Sequence, residues 1–131
     1  MIRAFLSFVE EDLNLANLFR GQAKNDNIDL EFADYSIKEP FDSINADYIA
    51  RGITAQLKLA RITVCLYGST THTSKWVDWE LRKSLELGKP IMGVCLYNDG
   101  RVRYHPAPLA DKPRVGWDIA AIVKTMRLVA R

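Results

Sequence analysis

Ile62-Thr63-Val64-Cys65-Leu66-Tyr67, closed by Gly68-Ser69-Thr70, is the stretch on which the fold turns. Six uncharged residues rich in β-branched and aromatic side chains are strand-length, and an apolar run without alternation suits a strand covered on both faces. Just downstream, Thr71, Thr73 and Ser74 offer N-caps for a helix carrying Trp76 and Glu80. Gly88 ends that helix, Pro90 prevents its continuation, and residues 91–97 supply another apolar strand. Upstream, Ala46, Ile49, Ala50, Ile53 and Leu57 recur at helical spacing over residues 45–60. Before them, residues 28–35 alternate Ile28, Leu30 and Phe32 with Asp29 and Glu31, the period of an edge strand.

Residues 2–9 form a nearly unbroken apolar run, interrupted by Arg3 and Ser7, and read as a central strand. Glu10, Glu11 and Asp12 then open a helix whose dipole favours acids, with Leu13, Leu15, Ala16, Leu18 and Phe19 as its buried side and Gly21 as its end. Residues 98–116 hold three of the five prolines and the turn signal Asn98-Asp99-Gly100, so they are expected to be mostly loop; residues 117–129 close the chain as a last helix. Strands alternating with helices predict an α/β, flavodoxin-like three-layer sandwich: a parallel sheet of four to five strands flanked by helices. The 131 residues suit one domain over 1–131.

Composition narrows the function. With 18 basic against 16 acidic residues and no basic run, nucleic acid is not the expected partner. No apolar run is long enough to cross a bilayer, and residues 1–9 lack a basic region followed by a cleavable stretch, so the cytoplasm is the expected compartment. Cys65 and Cys95 fall in strands and read as reduced core residues, with no ligand set for a metal. GxGxxG, GxxxxGK[ST], HExxH and CxxC are all absent. A phosphate-accepting receiver domain is excluded as well, because Tyr67-Gly68-Ser69 stands where its aspartate should be.

In a doubly wound sheet, ligands bind beyond the carboxyl ends of the strands. Here that means Ser7-Phe8-Val9, Asp34-Tyr35-Ser36, Gly68-Ser69-Thr70 and the start of the Glu80 helix. On that helix Trp76, Glu80, Lys83 and Leu87 share one stripe, while Val77, Leu81, Ser84 and Gly88 face the sheet. A large indole beside a carboxylate is unusual on a plain surface helix. Each residue has a plainer reading: Glu80 as a solvated side chain, Ser7 as a small strand-end residue, Asp34 as a turn former, Ser69 or Thr71 as a cap, Trp79 as core.

Ala4-Phe5-Leu6-Ser7-Phe8 with Asp12, Phe32-Ala33-Asp34-Tyr35-Ser36, Val64-Cys65-Leu66-Tyr67-Gly68, Ser74-Lys75-Trp76-Val77-Asp78-Trp79-Glu80-Leu81 and Gly88-Lys89-Pro90-Ile91-Met92-Gly93-Val94, in that order, resemble the TIR and TIR-like domains. They are most similar to the small bacterial ones of the Thoeris antiphage system. The resemblance implies that Glu80, in the W-x-x-x-E-L pattern, is catalytic. It implies NAD as substrate, with no separate cofactor, and cleavage of the nicotinamide–ribose bond. The product implied is a cyclic or conjugated ADP-ribose signal that reaches a downstream effector, made by a protein that can self-associate. Trp76 would stack on a ring, and Ser7, Phe8, Asp34 and Ser69 would line the crevice. Arg51, Lys75, Arg101 and Arg103 are candidate counter-charges for a diphosphate, and His72 lies nearby. A non-enzymatic interaction module and a nucleoside deoxyribosyltransferase-like enzyme are the alternatives.

Overall fold

The computed structural model describes residues 1–26, 28–34 and 40–131. Strands β1 (Ile2–Ser7), β2 (Leu30–Ala33), β3 (Ile62–Tyr67), β4 (Ile91–Cys95) and β5 (Arg114–Gly116) form one sheet in the order β2-β1-β3-β4-β5. Every pair is parallel, so each connection is a crossover. Among the described residues the α-helices are α1 (Leu13–Asn25), α2 (Ala46–Leu59), α3 (Lys75–Glu86) and α4 (Ile119–Val129). This is the flavodoxin-like arrangement, with the topological switch between β1 and β3.

Strand alternation divides the core. Ala4, Leu6, Val64, Leu66, Met92 and Val94 point to one face, where Ala16 and Phe19 of α1 and Ile122 and Met126 of α4 cover them. Phe5, Cys65, Tyr67 and Ile91 point to the other, beneath Ile49, Ile53 and Leu57 of α2 and Val77 and Leu81 of α3. Each fully buried aliphatic or aromatic side chain contributes about 1.5–3 kcal/mol. All six residues of β3 are buried, as a strand covered on both faces requires.

Helix α3 is bounded by local chemistry. Ser74 accepts a hydrogen bond from the Val77 N–H at its start. At its end, Gly88 has φ +76, and the Gly88 and Lys89 N–H groups bond the Leu85 and Ser84 carbonyls, a Schellman exit that a side-chain-bearing residue would strain. At β4, a Cβ on Gly93 would lie 2.9 Å from both Leu109 Cδ1 and Tyr67 Cε1, so only glycine lets that ring and that side chain meet the strand.

Several expectations are corrected. Glu10–Asp12 is a separate 3₁₀ turn, and α1 starts at Leu13 and runs through Gly21 to Asn25. A single helical glycine costs only about 1 kcal/mol, and buried Ala23 continues the apolar face beyond it. Leu18 is 53% exposed and Leu13 is also exposed, because packing of Ala16, Phe19 and Ala23 sets the helix phase. Residues 98–116 are mostly loop, as expected, and within them Arg114–Gly116 pairs with β4 as the fifth strand. Cys65 is buried and Cys95 only partly so, and both are free thiols. Tyr35 and Ser36, expected at the crevice, lie outside the described residues. Among the described residues no helix is long and apolar enough to cross a membrane.

Candidate functional site

Glu80 occupies the second turn of α3, but the helix lies so close over β1 and β3 that the side chain turns inward and is only 4% exposed. The solvated-side-chain reading therefore does not hold. Its Oε1 accepts a hydrogen bond of 2.6 Å from the Ser7 hydroxyl, at the carboxyl end of β1. Ser7 is itself fully buried and shares the sheet face of Phe5, opposite Cys65 of β3. The two residues stand 73 positions apart in sequence and meet only because β1 and β3 are neighbours.

Asp34, just past β2, pairs at 2.8 Å with Arg20 of α1, whose guanidinium also sits 5.8 Å from the centre of the Phe8 ring. Phe8 packs partly against the α1/α4 side of the core. Trp76 makes perpendicular ring contacts with Phe41 at 4.7 Å and with Trp79 at 5.8 Å, and both indoles lean on the cluster around α2. Thus Ser7, Glu80, Trp76 and Trp79 share the α2/α3 face of the sheet, Phe8 and Arg20 lie toward the α1/α4 face, and Asp34, paired with Arg20, is near enough for its charge to act on Glu80.

Ser69 is exposed on the loop after β3. That loop is tied to the 3₁₀ turn before α1: Thr70 donates to Glu11 at 2.9 Å, and Asp12 lies so near Gly68 that a Cβ there would be 2.9 Å from its Oδ2. Buried Thr71 accepts from the Gly68 N–H at 2.8 Å and so holds the turn. His72 is exposed and its ring lies 5.1 Å from that of Tyr104. Arg101 is bound to Asp99 and lies over Tyr97, while Arg51, Lys75 and Arg103 are exposed.

Electrostatics single out one group. Burial pushes the Glu80 carboxyl from the ordinary 4.5 to about 8; the Ser7 hydrogen bond opposes this and the Asp34 charge adds to it. The Cys65 thiol is raised well above its ordinary value by burial and then by Glu80 and Asp12, which leaves it inert as a nucleophile. Asp12 is raised by partial burial and by Glu11. A buried acid that titrates near neutral pH and is held by a hydroxyl is suited, once ionised, to stabilise positive charge on a bound molecule. Among the described residues no three His, Cys, Asp or Glu gather as metal ligands. A groove of about 530 Å³ lined by Asp26, Ile28, Ile119, Val123, Lys124 and Arg127 holds none of the residues expected at the site.

The sequence reading missed Arg20 and Phe41. Arg20 carried no local signal, since its partner is on another element, whereas Phe41, an aromatic beside Pro40 in a polar connection, was a visible cue.

Comparison with known proteins bears on this arrangement. Residues 5–101 match the family model described as "Thoeris protein ThsB, TIR-like domain". No curated protein matches the chain. A crystal structure of a 3-dehydroquinate dehydratase-like protein from Bifidobacterium longum aligns with 99% of this chain and 96% of its own, at 15% identity and a TM-score of 0.53, a likeness of fold alone. The TIR domains of the activated Roq1 resistosome directly recognizing the pathogen effector XopQ align at 19% identity and a TM-score of 0.48, over 74% of this chain and 60% of that one.

Proposed function

The chain belongs to the family of Thoeris ThsB TIR-like domains, and from that premise we propose that it cleaves the nicotinamide–ribose bond of NAD and makes a cyclic or conjugated ADP-ribose signal in antiphage defence. The observation that carries this reading is Glu80, the glutamate of the Trp76-x-x-x-Glu80-Leu81 pattern, buried against Ser7 at the carboxyl edge of β1. Departure of nicotinamide leaves an oxocarbenium-like ribose, and a carboxylate near C1′ and the ribose hydroxyls stabilises that charge. Nicotinamide is cationic in NAD and leaves neutral, so no second carboxyl is needed to protonate it. The same cationic ring draws the Glu80 proton off as it binds, because an opposite charge nearby favours the ionised form. Trp76 and Trp79 supply apolar walls that keep water from the ribose, so that a nucleophile within the ligand competes with hydrolysis.

Self-association is favoured by Ile44, 98% exposed, and Tyr48, 68% exposed, four residues apart at the entrance to α2. The test is to incubate dilute and concentrated protein with NAD and follow nicotinamide and nucleotide products by mass spectrometry. Release lost in Glu80→Gln is expected, and the mass of the second product tells cyclisation or conjugation from hydrolysis. Release that is undiminished in Glu80→Gln, or absent at every protein concentration, overturns the reading.

A further inference from the structure

Two hydroxyls lie in the otherwise apolar seam between β3 and α3. Thr63 and Ser84 are both fully buried, on the sheet face where Cys65, Val77 and Leu81 form an apolar cluster. The Ser84 Oγ is 2.7 Å from the Glu80 carbonyl oxygen, which can only accept, so Ser84 donates there. Thr63 Oγ1 lies 2.8 Å from Ser84 Oγ and must then be the donor in that pair. The result is a directed chain from strand to helix that ends on the backbone of Glu80 itself.

Geometry gives the chain its meaning. The register pairs Ser7 with Cys65 and Phe5 with Thr63, so Thr63 stands two strand residues below Ser7 on the same face. Two strand residues span about 6.6 Å, and the four helical residues from Glu80 to Ser84 rise about 6 Å. Helix α3, descending toward the amino ends of the strands, is thus fastened twice at matching intervals: Glu80 to Ser7 and Ser84 to Thr63. One fastening would leave the helix free to rotate or slide about it; two fix both motions. Burying hydroxyls is unfavourable unless they are bonded, and an alanine–valine pair would fill this seam without that cost.

We propose that Thr63 and Ser84 are positioning residues for Glu80, a hydroxyl relay that sets the height and rotation of α3 so that the carboxyl meets Ser7 and the bound ribose. The inference deepens the reading of Glu80 as the group that works on ribose and rests on it.

The test compares Thr63→Val, which keeps the shape and removes the hydroxyl, with Thr63→Ser, which keeps the hydroxyl and removes a methyl. A displacement of about 1 Å at a reacting group can cost roughly a hundredfold, so Thr63→Val is expected to lower kcat for nicotinamide release by roughly ten- to a hundredfold with KM unchanged. Thr63→Ser is expected to stay close to the native rate even though it melts no higher than Thr63→Val. A second readout needs no NAD: the gain in Tm from Glu80→Gln between pH 5 and pH 8, measured in each background, shrinks with Thr63→Val, as the freed carboxyl meets water, and persists with Thr63→Ser. Equal rates in the two variants, or rates that follow Tm, overturn the relay. If the native protein releases no nicotinamide, the NAD reading fails and the pH comparison decides the relay alone; a gain as large with Thr63→Val as in the native background then refutes it.

Discussion

Replacing Glu80 by glutamine should make the protein more stable, and only at the alkaline end of its range. The native carboxyl is pushed up to about 8 from the ordinary 4.5. Below 4.5 the folded and unfolded chains both hold the proton, so the shift contributes nothing. Between 4.5 and 8 the folded protein keeps a proton that the unfolded chain has released, and stability declines as pH rises; above 8 the loss is complete. At about 1.4 kcal/mol per pH unit, less where the curve flattens near either pKa, most of the decline falls between pH 5 and pH 8 and amounts to about 3–4 kcal/mol. Glutamine has the same shape, still accepts from Ser7 and carries no charge. The Tm of Glu80→Gln should therefore nearly match the native Tm at pH 5 and exceed it by about 10 °C at pH 8, taking about 3 °C per kcal/mol for a chain of this size. Scanning calorimetry of both proteins at the two pH values measures this. A difference in Tm that is the same at pH 5 and pH 8 refutes the argument, because it would mean that Glu80 is buried in name only and titrates as an ordinary glutamate.

Three other outcomes follow from the same geometry. Ser7→Ala removes the hydrogen bond that holds the Glu80 value down, and Asp34→Asn removes a charge that holds it up, so carboxyl NMR titration should move upward in the first variant and downward in the second; movement in the same direction contradicts the assignment. Ser74→Ala deletes the cap on α3 and should cost about 1 kcal/mol, while Ser74→Asp keeps most of it, as urea midpoints would record. Gly93→Ala drives a Cβ against Tyr67 and Leu109 and should cost about 1–3 kcal/mol with an unchanged urea m-value; a neutral result would mean that both side chains move aside freely.

Much of the fold was legible because its signals are local. The uncharged run of β3, the Ser74 cap and the Gly88-Lys89-Pro90 exit each depend on neighbours in sequence, and each appears at the expected place. Gly21 misled because a helix boundary is set by packing as well as by propensity, and Ala23 packs. Strand β5 escaped notice because three residues after Pro113, with only Val115 turned toward the core, carry no period to read. At the site, the carboxyl edge and the prominence of Glu80 were readable from topology and pattern. Its burial was not: the stripe that joined it to Trp76, Lys83 and Leu87 gave no sign that α3 would sit over the seam between β1 and β3 and turn Glu80 inward. The pairs Ser7–Glu80, Arg20–Asp34 and Thr63–Ser84 are products of tertiary neighbourhood, although a threonine and a serine on apolar faces were a hint in plain view.

The perpendicular indoles of Trp76 and Trp79 have an optical consequence. Their ring centres are 5.8 Å apart and their planes meet at 82°, so their electronic transitions are close enough to exchange excitation and are not stacked. The third indole, Trp117, lies against α1 on the other face, held by Gln22. Near-ultraviolet dichroism and emission of the native protein therefore carry two separable signals, one from the neighbourhood of Glu80 and one from the far layer. A ligand that inserts between the first pair changes the one and leaves the other as an internal standard, with no label attached.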